Sequence, residues 1–437
     1  MSPHTAATSR NLPVRPSRWP QRAVPWLLFL GLVACGTASQ TSESPAQDAD
    51  AGNTAPSGPQ MREYDTIDEP VTFTIAGTGD VITHDHIVDA AEALADDSDQ
   101  DYEFGPLMAP LEPWIAGADL ALCGLEVPIV PAGGEPSGYP VFAAPEELIA
   151  GLAEVGFDGC STATNHAVDA GTDGVERTLE TMDEHELGHA GTARTEEEAS
   201  EPQIYTLQRG ETEIVVAHFS TTLIQNTNPP ADAPWMVTDV SAQELTERAA
   251  QARADGADVV VVSAHWGTEY GHEPDETQRA YGQALADGGE VDLVFGSHPH
   301  TPQPLEHLEG GPADHGMWVA WSMGNFLTNQ DEHCCVMETA TGVIVYADIE
   351  VTQDETARVT EVGWSPVTVD RSEDLHRGIW PLAKLADDAV LRDEVELTTE
   401  TIQARWDRVQ EVMDEQYLIT DPPEPTDHQP LVTPRDG

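Results

Sequence analysis

Apolar residues in this chain fall into short β-branched runs set between longer stretches that read as helical. Val71-Thr72-Phe73-Thr74-Ile75-Ala76 is the first such run. Asp119–Cys123, Gly159–Ala163, Ile214–His218, Val259–Ala264, Val291–Gly296 and Trp318–Ser322 follow. Short runs of this kind, bounded by turn-forming residues, predict strands. Helix-like segments lie between many of them, at Glu146–Val155, Asp173–His185, Ala242–Ala254 and Glu276–Ala286. Strand–helix alternation at this pitch predicts an α/β fold on a mainly parallel sheet. Two later strands, Thr341–Val351 and Arg358–Val369, come one after the other and predict an antiparallel extension. Residues 381–416 read as helical, and no internal repeat is visible.

The N-terminal region reads differently. Arg10, Arg15, Arg18 and Arg22 precede an apolar run from Val24 to Ala34 that is too short to span a bilayer comfortably. The run ends in Leu32-Val33-Ala34-Cys35-Gly36. This order of basic, apolar and small residues before a cysteine resembles the bacterial lipobox, where cleavage precedes a lipidated cysteine. The resemblance implies a signal peptide over 1–34 and a lipid on Cys35 that holds the protein outside the cytoplasm on a bacterial cell membrane. Residues 35–68 are rich in Ser, Thr, Ala, Pro, Gly and Asp and read as a disordered tether. A folded domain over 69–372, a helical extension over 373–421 and a disordered Pro-rich tail over 422–437 complete the expected organisation.

Charge narrows the partners. The chain has 78 acidic and 19 basic residues, a net charge of -59, and Lys384 is its one lysine. Such a chain repels nucleic-acid phosphates and anionic membrane surfaces, so nucleic acid is not an expected partner. Salt screens the self-repulsion, which fits a salt-tolerant source. Beyond Cys35 there remain Cys123, Cys160, Cys334 and Cys335, expected as structural thiols or disulfides with three pairings open.

The chemistry gathers where predicted strands end. The first ends in Gly79-Asp80 and leads to Thr83-His84-Asp85-His86. The second ends in Gly124-Leu125-Glu126, and the third in Thr164-Asn165-His166 with Asp169 just beyond. Two later strands end in His265-Trp266-Gly267 and Ser297-His298-Pro299-His300. Ligands in α/β sheets collect at such ends. Carboxylate, carboxamide oxygen and imidazole are the donor set of a hard-to-borderline divalent cation. Any one of these pieces is commonplace, since a loop histidine is usually a surface residue and Gly-Asp is often only a turn. Five of them in one domain make the case.

Taken in order, these strings resemble the CapA, or poly-γ-glutamate capsule synthesis, family, itself related in fold to the calcineurin-like metallophosphatases. The resemblance runs over about residues 70–370 and includes Ser322-Met323-Gly324-Asn325-Phe326. It implies a layered α-β-β-α sandwich with mixed sheets. It implies one or two divalent cations, Mn, Fe or Zn. Asp80 and His300 would bind the first, Glu126 would bridge, and Asn165, His265 and His298 would bind the second. The family fold usually pairs that first aspartate with a histidine two residues on. This chain has Ile82 there, and His84 is expected to complete the site. Gly124 and Thr164 also stand where asparagines are common. His166 would be the catalytic histidine that protonates the leaving group. Trp266, Glu269 and Asn325, beside ligand positions, are candidate substrate contacts. Packing is the alternative role for Trp266 and holding a turn for Asn325.

The implied activity is attack by a metal-activated water on a phosphoester or an amide. Phosphate sites usually add Arg or Lys clamps, and Arg177 and Arg279 are the only basic residues near these motifs. The expected partners are an anionic surface polymer or its precursor, the membrane through the lipid, and other capsule-synthesis membrane proteins. The rival class is a non-catalytic, metal-containing scaffold for polymer assembly, anchoring or export. A solute-binding protein would not need histidines and carboxylates clustered at strand ends.

Overall fold

The structure, a computed structural model, describes residues 70–95, 100–352, 355–372, 375–424 and 429–435. The expected signal peptide, Cys35 and tether lie outside the described residues. The chain first lays down β1 (Val71–Val81), β2 (Leu120–Leu125), β3 (Gly159–Ser161) and β4 (Gly188–Ala190). It then builds β5 (Gln203–Arg209), β6 (Thr212–Thr222), β7 (Val259–His265), β8 (Leu293–Ser297), β9 (Leu305–Leu308) and β10 (Met317–Ala320). After β11 (Asn325–Leu327) come β12 (Thr341–Thr352), β13 (Glu355–Ser372) and β14 (Leu375–Pro381), and last β15 (Leu431–Val432). Two mixed sheets result. One runs β14-β13-β12-β1-β2-β3-β4 with β11 beside β1, and the other β15-β5-β6-β7-β8-β10-β9. β1 to β4 are parallel, as are β6, β7, β8 and β10, while β12 to β14 form the expected antiparallel extension.

Strand alternation explains the layers. In β7, Val259 and Val261 join Phe73, Ile75, Leu120, Leu122 and Phe295 in a core between the sheets. Val260, Val262 and Ala264 face the other way, onto helices Ala242–Ala254 and Glu276–Gly288. In β2, Ala121 and Cys123 face outward onto helices Asp85–Leu94 and Glu147–Glu154. A strand buried on both faces reads as a continuous apolar run, which is why these were visible in the sequence. The architecture is the expected α-β-β-α sandwich. Cys123 and Cys160 are register partners in adjacent strands and form a disulfide, while Cys334 and Cys335 are free thiols. Among the described residues, no helix is long and apolar enough to cross a membrane.

The C-terminal region departs from expectation. Residues 381–416 hold helices Leu382–Asp387 and Thr399–Val412, but residues 375–381 belong to the first sheet as β14. The expected free tail is tied down where it is described. Leu431 and Val432 pair with Thr206 and Tyr205 of β5, and Arg435 is buried with its guanidinium on the carbonyls of His189 and Glu198.

Candidate metal centre

Both sheets deliver side chains to one place at the C-terminal ends of their parallel strands. β1 is irregular at Asp80, with a register shift against both β2 and β11. An irregularity of this kind re-aims a side chain. Gly79 allows the close approach this needs: a Cβ there would stand 1.9 Å from the Gly324 carbonyl oxygen. Asp80 is then fixed by its own amide on that oxygen at 2.9 Å and by its Oδ2, which accepts from the His298 amide at 3.1 Å. His298 and His300 lie in left-handed backbone, with φ of +92° and +58°. Such conformations cost about 1–3 kcal/mol each in a residue with a Cβ and gather at functional sites.

Glu126 is fully buried, and neither of its carboxylate oxygens has a hydrogen-bond partner. Asp80 Oδ1 and His298 Nδ1 are likewise buried and unpartnered. Buried polar atoms are almost always paired, so four orphans converging in one spot mark a place built for something else. Among the described residues, Glu126, His298 and His300 are a group whose ligand atoms all lie within 4.8 Å of one another. His265 Nε2 is 4.0 Å from Glu126 Oε1 and its Nδ1 is 3.9 Å from Asp80 Oδ1. Asn165 Oδ1 meets His265 Nε2 at 2.9 Å. These donors fit a divalent cation of the Mn, Fe or Zn kind.

Electrostatics agrees. Burial pushes the Glu126 carboxyl well above its ordinary value, with His300 opposing the shift and Asp80 adding to it. Burial also works against charge on His300, but the carboxylates of Glu126 and Asp80 overcome it and raise the imidazole to about 10. His300 Nε2 is 3.8 Å from Glu126 Oε1, and its Nδ1 is 3.0 Å from Asn325 Oδ1 and 3.3 Å from Asp80 Oδ2. The His300 ring thus lies where positive charge offsets these two carboxyl groups. Burial and the neighbouring imidazoles lower His298 to about 3, and burial carries His265 well below its usual value. The His265 ring is neutral, with Nε2 donating to Asn165 Oδ1 and Nδ1 accepting from the Ser297 hydroxyl at 2.9 Å. That hydroxyl can equally accept, so Nε2 can exchange its proton for a cation without stranding Nδ1.

His166 stands beside this cluster. Its Nδ1 is 2.6 Å from Asp169 Oδ2, and the same oxygen accepts from the Phe142 amide at 2.9 Å. The carboxylate so held keeps the proton on Nδ1 and presents Nε2, which meets Asn226 Nδ2 at 3.4 Å. The Phe142 ring packs edge-on against His166 and His84, with centroids 4.7 and 5.2 Å away. Thr164 ties two ligand loops together by donating its hydroxyl to the Glu126 carbonyl at 2.8 Å.

The sequence profile of the bacterial capsule synthesis protein (PGA_cap) family matches residues 74–330, which hold every candidate ligand. The chain belongs to this family. Curated relatives similar to it include the capsule biosynthesis protein CapA of Bacillus anthracis, 27% identical over 191 residues, which are 43% of this chain and 44% of that protein. The PGA biosynthesis protein CapA of Bacillus subtilis is 28% identical over 185 residues, 42% of this chain and 46% of that protein. The chain thus spans about half the length of the curated relatives it matches. Among solved structures, the calcineurin-like phosphoesterase YfkN from Bacillus subtilis is similar at a TM-score of 0.40 and 13% identity, over 78% of this chain and 98% of that one.

Within this capsule-synthesis domain, Asp80, Glu126, Asn165, His265, His298 and His300 lie together, and His166 lies beside them. His84 points its Nδ1 to the Ile82 carbonyl at 3.2 Å and packs on Phe142, burial lowers it to about 4, and it lies outside the Glu126–His298–His300 group. Two expected substrate contacts are corrected. Trp266 is fully buried, donates its indole N–H to the Trp321 carbonyl and packs on Trp321 and Tyr281. Asn325 is buried, and its Nδ2 donates to the carbonyls of Thr339 and His300 and to Gln330. It therefore orients His300. Glu269 is exposed on the loop after β7 and remains free to meet a substrate. Arg177 is engaged by Glu146 and Glu184, and Arg279 by Glu306. Sequence reading passed over Asp169 as an orienting group, and over Ser297 and Asn226. Only Asp169, three residues after His166, carried a visible signal.

Proposed function

We propose that this capsule-synthesis family member is a metal-dependent hydrolase that cleaves a phosphoester or an amide bond in the making of a poly-γ-glutamate-type surface polymer. It would work from the outer face of the cell membrane, held by a lipid on Cys35, on the anionic polymer or its precursor and beside other capsule-synthesis membrane proteins. The observation that carries the reading is the set of four buried, unpartnered ligand atoms on Asp80, Glu126 and His298. These residues, with Asn165, His265, His300 and His84, would hold a divalent cation, which would supply Lewis acidity and a bound water acidified toward neutral pH. The protein's own part is positional. Asp169 keeps the His166 proton on Nδ1, so Nε2 can carry a second proton to a leaving group. Asn325 and Ser297 hold the ligand imidazoles in orientation. Since Arg177 and Arg279 are engaged elsewhere, charge complementary to an anionic substrate falls to the cation.

Elemental analysis tests this first. The chain should hold one to two equivalents of Mn, Fe or Zn, and the D80A/H298A double variant should lose them. Screening of phosphoesters and γ-glutamyl amides should then reveal turnover that His166→Ala lowers by about 10²–10⁴-fold with the metal retained. No bound metal after reconstitution with each ion would rule out the hydrolase and leave a non-catalytic polymer scaffold as the account. Metal without turnover would make the centre a structural part of such a scaffold.

A further inference from the structure

The family match stops at residue 330, yet the contacts that fix His300 continue beyond it. Asn325, whose Oδ1 meets His300 Nδ1, donates from Nδ2 to the Thr339 carbonyl at 2.9 Å. Thr339 belongs to the 3-10 turn Met337–Ala340. Its neighbour Glu338 reaches away from the sheet to Arg408 Nε at 2.6 Å and to His272 Nε2 at 3.5 Å. Arg408 lies on helix Thr399–Val412. One turn earlier on that helix, buried Arg405 donates to the Thr368 hydroxyl and the Val369 carbonyl at 2.8 Å, and to Glu332 at 3.2 Å. Val409 and Val412 share a cleft with Met337 and with Pro302, two residues beyond His300.

Glu338 is therefore the junction of three elements: the turn that holds Asn325, the loop that follows His265, and the C-terminal helix. Burial opposes its charge, but Arg408 and His272 outweigh burial and keep the carboxyl below its ordinary value. In a chain with 19 basic residues against 78 acidic ones, this helix turns two arginines inward on one face. Arg408 meets Glu338 in the turn that holds Asn325, and Arg405 meets Thr368, whose hydroxyl donates to the Ala340 carbonyl at the end of that turn. Residues that orient a ligand imidazole set its affinity, and losing them typically costs 10–100-fold in metal binding.

We propose that the Arg408–Glu338 pair is a positioning device for the metal centre. Through Thr339 and Asn325 it fixes the His300 imidazole, and through His272 it fixes the loop leaving His265. The C-terminal helix thereby sets the affinity of the centre for its cation. This rests on reading the centre as a cation site, and the test separates the two ideas. Arg408→Ala, Arg408→Lys and a control, Arg392→Ala, would be made in the full chain. Arg392 donates to the Leu385 and Ala386 carbonyls instead. Two quantities would be read: Mn²⁺ affinity by calorimetry, and exchange of the His300 Nδ1 proton by NMR on ¹⁵N-histidine-labelled protein. Arg408→Ala should weaken Mn²⁺ binding about 10-fold or more and speed that proton's exchange. Arg408→Lys should recover part of both, and Arg392→Ala should match the parent. An Arg408→Ala protein with Mn²⁺ affinity within about twofold of the parent and unchanged exchange overturns the proposal, even if its melting temperature falls. If the parent binds no Mn²⁺, the cation reading fails, and the exchange measurement alone decides whether Arg408 positions His300.

Discussion

His265 and Trp266 are adjacent in sequence and opposite in role. Successive side chains leaving a strand point to opposite faces, so with His265 turned to the centre Trp266 enters the helix-side core. Trp266→Ala should therefore destabilise the fold by about 3–5 kcal/mol in a denaturant titration, while the Mn²⁺ affinity of the protein that remains folded stays that of the parent. A specific loss of substrate binding without destabilisation would restore it as a contact. The candidate ligands were legible in the sequence because each is tied to a strand end. The roles of Trp266 and Asn325 were not, because neighbourhood along the chain says nothing of direction. Asn325 acquires its role only from its register beside Asp80. The His166–Asp169 pair gives a second expectation at this scale. Asp169→Asn should cut turnover by about 10²-fold or more, through loss of the imidazolium's partner, with metal content unchanged. Retained turnover would remove His166 from the acid role.

Among the elements, the long buried strands and the helices with clear ends were readable. Helix Glu276–Gly288 starts at Asp275, which with Gln278 forms a capping box, and stops at Gly289 in left-handed backbone. β4 and β11, each of three residues, and β15, of two, offer too short a pattern to distinguish strand from loop. β15 exists only because the β5 edge and the site that receives Arg435 are there to hold it. The Cys123–Cys160 pairing was equally hidden, because it depends on the register of two strands whose cysteines are 37 residues apart. Replacing both cysteines by alanine should lower stability by about 2–4 kcal/mol, seen as a lower melting temperature under non-reducing conditions. Dithiothreitol should affect the parent and not the variant. Equal response of both to dithiothreitol would mean that the disulfide does not form.

Across the whole molecule, charge and buried histidines set the conditions of stability. With a net charge of -59, stability should rise with NaCl from low salt toward about 1 M as self-repulsion is screened. A flat response would mean that the acidic residues are already compensated. His376 lies outside the proposed ligand set. Its Nδ1 accepts from the Gly378 amide and its Nε2 donates to the Thr328 carbonyl, so it is a neutral ring with both nitrogens satisfied. Burial lowers it from 6.5 to about 4. Below pH 6.5 the unfolded chain binds a proton there that the folded chain refuses until about pH 4. This histidine therefore removes stability as pH falls through that window, by up to about 1.4 kcal/mol per pH unit. Asp158, raised by burial to about 7, works in the opposite direction, so the histidine is best isolated by difference. His376→Gln should flatten the fall in unfolding free energy between pH 6 and pH 4.5 by about one proton's worth. An unchanged slope would show that the ring is already protonated in the fold.

One consequence follows from where the ligands come from. Asp80, Glu126 and Asn165 arrive on one sheet and His265, His298 and His300 on the other, so the full donor set exists only when both sheets are in place. A nascent chain has no centre until the segment around His300 has been made and the two sheets have closed on each other. If the centre takes a cation, loading of the full set would follow folding, and the ions available where folding finishes would bear on which one is acquired. The metal content of this protein would then reflect its place of maturation as well as its ligand set. Material matured in different compartments should carry different ions on the same residues.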